Sequence, residues 1–256
     1  MGPTIHAWDP LDGRPPGLQL TPREDVQLWQ ASVPVSESAL TSLRRSLSPD
    51  ESARAERFTH DAARREYVFG RAFLRQLLGS ALSIAPECVE FTFGRAGKPR
   101  VRPGSAPTDW RFNLAHSGGR VIIALAQGRE VGVDLEPLQE MTDWPELAKR
   151  IFSPREQAEL QALAGEQQPL AFFKGWTRKE AWLKATGEGL TEALAEIETT
   201  LAPDAPPAWR ALPGGLTSMR HWSLVDLPLG ANFAGALVYE TTSQPKPAAA
   251  GTAVAV

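Results

Sequence analysis

V-G-V-D-L-E (Val131 to Glu136) and W-T-R-K-E-A-W-L-K-A-T-G-E-G-L (Trp176 to Leu190) are the two pieces around which the rest of the chain can be arranged. The first alternates like a strand. Val131, Val133 and Leu135 point to one side, and Gly132, Asp134 and Glu136 to the other. Two carboxylates then share a strand face, roughly 7 Å apart at their Cα atoms, and Gly132 leaves that face open beside them. The second piece predicts a helix that stops at Gly187. Trp176, Glu180 and Lys184 recur every four residues and so stack on one face. Two strand carboxylates and one helix carboxylate make a hard, all-oxygen cation site. It suits Mg²⁺, which takes a few carboxylates and keeps other positions for water or phosphate oxygens.

Taken singly, each piece has an ordinary reading. D-x-E at a strand end is commonly a solvated edge, and Glu180 with Lys184 is a common i,i+4 pair contributing a few tenths of a kcal/mol. The two pieces in this order, with F-S-P-R-E (Phe152 to Glu156) between them and N-L-A-H-S (Asn113 to Ser117) ahead, are what turn the argument toward a site.

Working outward, Gln127 to Glu130 is a polar break. On its N-terminal side, Val26 to Val33 predicts a strand, and Leu40, Leu43 and Leu47 a short helix face. Ser48-Pro49-Asp50-Glu51 is a helix start with a capping box. A helix from about Asp61 to Leu78, ended by Gly79, carries the core stripe Phe69, Phe73 and Leu77. Val89, Phe91 and Phe93 alternate as a strand before a turn over Gly94 to Pro99. Trp110, Phe112 and Leu114 form another strand, followed by a turn from Ala115 to Gly119 that carries His116. Val121 to Ala126 is apolar on both faces and predicts a buried central strand. On the C-terminal side Ser153-Pro154-Arg155-Glu156 repeats the capping-box start. A second helix follows, then strands over Ile197–Leu201, Trp209–Leu212, Trp222–Leu227 and Phe233–Tyr239. Helices then strands, twice, predict an α+β protein of two similar halves, 23–128 and 129–240. Residues 1–22 read as an irregular lead-in, and 241–256 as a disordered tail of Ala, Pro, Ser and Thr.

Composition narrows the class. The 256 residues, 42% hydrophobic with eight Trp, can bury a core of either one large or two small domains. A net charge of −3 argues against nucleic acid as the main partner. The one cysteine, Cys88, leaves no intramolecular disulfide and fits a reducing compartment. The first residues, M-G-P-T-I-H-A-W, show no basic-then-apolar signal, and the apolar run Val121 to Ala126 is too short to span a bilayer. A cytoplasmic protein with no membrane partner is expected.

At these motifs the chain resembles the 4′-phosphopantetheinyl transferases of the Sfp type. That family carries G-[IV]-D-[IL]-E, then F-x-x-x-E, then W-x-x-K-E-A-x-x-K-x-x-G-x-G-L, matched here by Gly132 to Glu136, Phe152 to Glu156 and Trp176 to Leu190. Ahead of them it has a G-K-P turn and F-N-x-S-H-S, matched by Gly97-Lys98-Pro99 and by Phe112 to Ser117, except that Ala115 replaces the usual Ser or Thr. The resemblance implies two α+β halves related by a pseudo-twofold axis, with the site between them in one monomeric chain. It implies transfer of 4′-phosphopantetheine from coenzyme A to a serine hydroxyl of an acyl or peptidyl carrier protein, with release of adenosine 3′,5′-bisphosphate. By the same resemblance Asp134, Glu136 and Glu180 hold Mg²⁺. Glu180 also takes the serine proton and Lys184 meets the leaving phosphate. Arg54, Lys98, His116, Ser117 and Lys184 hold coenzyme A, with His116 orienting its pyrophosphate. Tyr67 stands where some relatives have a small hydroxyl residue. The carrier is expected to be acidic and helical. Two competing readings follow from the same residues. A coenzyme A-binding protein without catalysis is favoured only by Ala115. A Mg²⁺-dependent nuclease or phosphatase leaves both the G-K-P and N-L-A-H-S turns unexplained.

Overall fold

A computed structural model describes residues 5–8, 26–34, 36–94, 96–102, 109–138, 143–189 and 192–241. In chain order the elements are β1 (Ile5–Ala7), β2 (Gln27–Ser32), α1 (Glu37–Arg44), α2 (Pro49–Ala55), α3 (Asp61–Leu82), β3 (Phe91–Phe93), β4 (Pro99–Val101), β5 (Trp110–Ser117) and β6 (Arg120–Gln127). The second half continues with β7 (Val131–Pro137), α4 (Trp144–Ile151), α5 (Pro154–Ala162), α6 (Gln168–Thr186), β8 (Glu198–Thr199), β9 (Trp209–Ala211), α7 (Gly215–His221), β10 (Trp222–Asp226) and β11 (Phe233–Glu240).

One topology occurs twice. In the first half the opening strand β2 pairs antiparallel with the last strand β6, and β6 with β5. In the second, the opening strand β7 pairs antiparallel with the last strand β11, and β11 with β10. Each sheet has a long helix on one face. Phe69, Phe73 and Leu77 of α3 pack with Val121, Ile123 and Leu125 of β6, while Phe172, Ala181 and Ala185 of α6 pack with Ala234, Ala236 and Val238 of β11. The alternate residues of the same strands turn the other way and meet in a third apolar layer: Leu28, Ile122, Ala124, Val133, Leu135 and Leu237. Two α+β halves therefore share an apolar seam, as the doubled pattern and the apolar-on-both-faces run Val121 to Ala126 anticipate.

The helix starts follow local chemistry. Ser48 and Ser153 each accept from the amide three residues on, Glu51 and Glu156 reach back to the cap amide, and Pro49 and Pro154 take the first helical position. Other boundaries differ from the sequence-based expectation. Gly79 does not end α3, which runs on to Leu82 and closes on Ser83 at φ 58. A Cβ at Gly79 would come 2.9 Å from the Ile84 carbonyl oxygen, so the glycine is there for close approach of the returning chain. His116 is not on a turn but near the end of β5, and only Gly118 and Gly119, both at positive φ, make the bend. The lead-in contains a strand: β1 pairs parallel with β2, and Trp8 beyond it is buried. Helices α4 and α7, at eight and seven residues, are too short for their periodicity to stand out. The expected tail lies outside the described residues beyond 241. No helix among the described residues is long and apolar enough to cross a membrane.

Candidate active site

The face of β7 that carries Gly132, Asp134 and Glu136 lies under α6. A Cβ at Gly132 would fall 2.0 Å from the Ala181 carbonyl oxygen and 2.3 Å from the Ala185 amide nitrogen. Helix backbone therefore rests on strand backbone at this point, which no residue larger than glycine allows. Ala181 and Ala185 face the strand, so their neighbours Glu180 and Lys184 hang beside it.

Lys184 Nζ donates to Asp134 Oδ1 at 2.6 Å. The other Asp134 oxygen, Oδ2, is buried without a partner, and so is Glu180 Oε1. Burial pushes Asp134 up to about 7, against the pull of the Lys184 ammonium and with help from the charges of Glu136 and Glu180. Burial also raises Glu180, again opposed by Lys184. Glu136 is held from the other half, where the Ser117 hydroxyl at the end of β5 donates to its Oε2 at 2.7 Å. Among the described residues no three acidic, histidine or cysteine side chains form a ready-made metal cluster. Lys184 and Ser117 each take one carboxylate oxygen that such a cluster would use.

The residues expected from sequence do not all share one place. Asp134, Glu136, Glu180, Lys184 and Ser117 come together at the seam, and Glu180, Lys184, Lys98 and Asn113 line one cavity of ≈ 170 Å³. His116 is turned toward α3, its Nδ1 3.1 Å from Glu66 Oε2, while Glu66 Oε1 accepts from the Gly119 amide at 2.8 Å. Arg54 does not reach that cavity. It lines a separate, open one of ≈ 640 Å³ with Asp50, Ala53, Arg57 and Phe58, its guanidinium carbon 5.3 Å from the centre of the Tyr67 ring. Lys98 is inside the protein rather than at an exposed turn tip, with its side chain only 8% exposed. Ala115 packs in the apolar layer between the sheets, on the strand face it shares with Asn113 and Ser117.

Three further residues near the site hold its members in place, and of these only Asn113 carries a sequence signal. Asn113 accepts from the Val133 amide at 2.9 Å through its side chain, joining β5 to β7 where no regular ladder runs. Glu66 holds His116, and Glu130 holds Lys98. For Asn113 the signal was its place in N-L-A-H-S. Glu66 is one charge among many on α3 and offered none.

With this geometry in place, the relatives speak to the same chemistry. Residues 130–238 match the 4′-phosphopantetheinyl transferase superfamily, and 28–128 match the N-terminal region of 4′-phosphopantetheinyl transferase. The 4′-phosphopantetheinyl transferase HetI of Nostoc sp. is 40% identical over 222 residues, covering 87% of this chain and 89% of the relative. The 4′-phosphopantetheinyl transferase of Bacillus subtilis is 29% identical over 67% of this chain and 74% of its own. AcpT of Salmonella typhimurium, also a 4′-phosphopantetheinyl transferase, is 42% identical over 50% of this chain and 62% of its own. Among solved structures, the Bacillus anthracis holo-(acyl-carrier-protein) synthase overlays 43% of this chain and 94% of its own at TM-score 0.36 and 21% identity. The chain belongs to the 4′-phosphopantetheinyl transferase superfamily, Sfp type.

Proposed function

We propose that the protein transfers the 4′-phosphopantetheine arm of coenzyme A to a serine hydroxyl of an apo-carrier protein or carrier domain, with adenosine 3′,5′-bisphosphate as the leaving group. The observation that carries the reading is the Lys184–Asp134 pair set beside two buried carboxylate oxygens that have no partner. A buried carboxylate oxygen without a partner is costly unless a ligand or ion completes it.

Asp134, Glu136 and Glu180 form an oxygen-only donor set and fit Mg²⁺, with Asp134 Oδ2 and Glu180 Oε1 as the open donors. When bound, Mg²⁺ supplies positive charge against the pyrophosphate oxygens. Glu180 accepts the serine proton; burial raises its proton affinity, which suits a general base. Lys184 places a fixed positive charge where the leaving phosphate gains negative charge. Ser117 and His116, at the end of β5, and Arg54, in the open cavity on α2, are the candidate holders of the remaining coenzyme A phosphates. Lys98 stands apart, because its three ammonium protons already have acceptors inside the protein. An acidic carrier would approach by a transient, electrostatically steered contact.

The test is the intact mass of a panel of apo-carrier proteins after incubation with the enzyme, coenzyme A and Mg²⁺. One phosphopantetheine on serine is the expected result. Coenzyme A binding with every carrier unmodified would favour the binding-only alternative, whose one supporting residue, Ala115, is a buried methyl in an apolar layer.

A further inference from the structure

Lys98 lies on the turn between β3 and β4, in the N-terminal half, yet its side chain makes its polar contacts with the other half and the break that leads into it. Its Nζ donates to Glu130 Oε2 at 2.8 Å, to the Val131 carbonyl at 3.1 Å and to the Ala185 carbonyl at 2.6 Å. An ammonium has three protons, so none is left over for a ligand. Burial lowers the proton affinity of Lys98 and the Glu130 carboxylate restores part of it. Glu130 is itself fastened: Arg100 and Arg111 reach its Oε1 at 2.6 and 3.0 Å, and its amide donates to Glu240 Oε2 at 2.8 Å.

The two carbonyls matter most. Val131 opens β7, the strand of Asp134 and Glu136. Ala185 lies in the last turn of α6, immediately after Lys184 and five residues after Glu180. Carbonyls of a helix's last turn have no partner within the helix, and a lysine there satisfies one and complements the negative end of the dipole. The Lys98 stem also lies against the cap of that turn. A Cβ on Gly187, which sits at φ 74, would be 3.2 Å from Lys98 Cδ.

We propose that Lys98 is a positioning residue rather than a phosphate ligand: it clamps the end of α6 to the start of β7, and so sets Lys184 and Glu180 against Asp134. This rests on the transferase reading above. It makes a prediction opposite to that of a phosphate contact, because a clamp acts on the chemical step while a phosphate ligand acts on coenzyme A binding.

The experiment compares wild type, Lys98→Met and Glu130→Gln in three measurements. These are turnover at saturating coenzyme A, coenzyme A affinity by calorimetry, and amide hydrogen exchange at Gly187, whose N–H donates to the Leu183 carbonyl at 2.8 Å. Lys98→Met keeps the stem and loses the ammonium. It should lower turnover about tenfold or more, the scale of a small misplacement of reacting groups, keep coenzyme A affinity within about threefold, and speed exchange at Gly187. Glu130→Gln, which has no charge to offer a phosphate, should change the same quantities in the same direction by less. A tenfold or greater loss of coenzyme A affinity in Lys98→Met, with wild-type turnover at saturation, would overturn the proposal and return Lys98 to the phosphate. Unchanged turnover and affinity with only a lower melting temperature would overturn it too, leaving a purely structural tie. If Lys98→Met does not fold, Glu130→Gln decides by the same criteria. An inactive wild type with a full carrier panel would instead strike the transferase reading, and the exchange measurement would still report on the clamp.

Discussion

In the N-terminal half, Trp29 of β2 turns toward α3; at the matching place in the C-terminal half, Asp134 of β7 turns toward α6. The match is fixed by pairing: Trp29 lies opposite Ile123 of the closing strand β6, and Asp134 opposite Ala236 of the closing strand β11. Trp29 is buried with Trp8 and Phe73 and fills its half. Asp134 carries a carboxylate in that place, α6 backbone lies directly on Gly132, and Glu180 and Lys184 come down beside the strand. The supports are alike. Glu51 and Glu156, the two capping-box glutamates, each reach a cation on the long helix: Arg75 Nε at 2.5 Å and Lys179 Nζ at 2.6 Å. Each cation also covers backbone carbonyls, those of Pro86 and Val89 for Arg75 and of Ile151 and Leu194 for Lys179. The next residue along each helix is Gln76 in one and Glu180 in the other, and each has a buried Oε1 without a partner. The difference teaches that acidic and basic side chains gather in one copy of a repeated frame while the other copy is closed with aromatic packing.

The comparison is broken most directly at the two buried cations. The Lys179–Glu156 pair is fully buried, and among the described residues no second cation is paired with Glu156, whereas Glu51 is also held by Arg71. Lys179→Met should therefore cost about 3–5 kcal/mol, the cost of an abandoned buried charge. Arg75→Met should cost about 1–3 kcal/mol, mainly from uncovered carbonyls. Urea unfolding of both variants measures this, and equal losses would show that the supports are not weighted as the ion pairs imply.

At the next positions the two halves should separate by function. Glu180→Gln should cut turnover by about two orders of magnitude, the scale for a lost positioned base, with a small change in melting temperature. Gln76→Glu, its mirror, should lower the melting temperature by burying a charge and leave turnover as it was. A turnover loss in Gln76→Glu matching that of Glu180→Gln would show that the first half is not closed to the chemistry.

The smallest effect is in the pH dependence of stability. Asp134 is raised from 3.8 to about 7 in the folded protein, so between those values the native state holds more protons than the unfolded one. Stability from this group then falls as pH rises from about 4 to 7 and levels off above. Asp134→Asn, measured without divalent metal, should flatten that part of the profile, while Trp29→Phe should leave its slope unchanged. An identical slope in wild type and Asp134→Asn would mean that Asp134 is less buried than its 4% exposure indicates.

What could be read along the chain were features written in neighbouring residues. Both capping boxes, the strand alternation of Val131 to Glu136, the helix from Trp176 to its glycine stop and the apolar central strand need only a few consecutive side chains. Their physics is local hydrogen bonding and periodicity. Gly79 reads as a helix stop because a glycine that ends a helix and one that admits a crossing chain look the same in sequence. His116 reads as part of the turn, but β5 runs through it and the bend needs only Gly118 and Gly119.

The sequence alone thus determined the doubled α+β pattern, the family, and the residue types gathered at Asp134, Glu136, Glu180 and Lys184. Only the tertiary structure decided how those residues spend their charges. That Lys184 meets Asp134, that Ser117 crosses to Glu136, that Glu66 takes His116 and that Lys98 is drawn inward to Ala185 are pairings across 19 to 87 residues of chain. No local pattern encodes a partner that distant. The Lys184–Asp134 pairing is set by helix α6 settling onto Gly132, where the absence of a side chain lets two backbones meet.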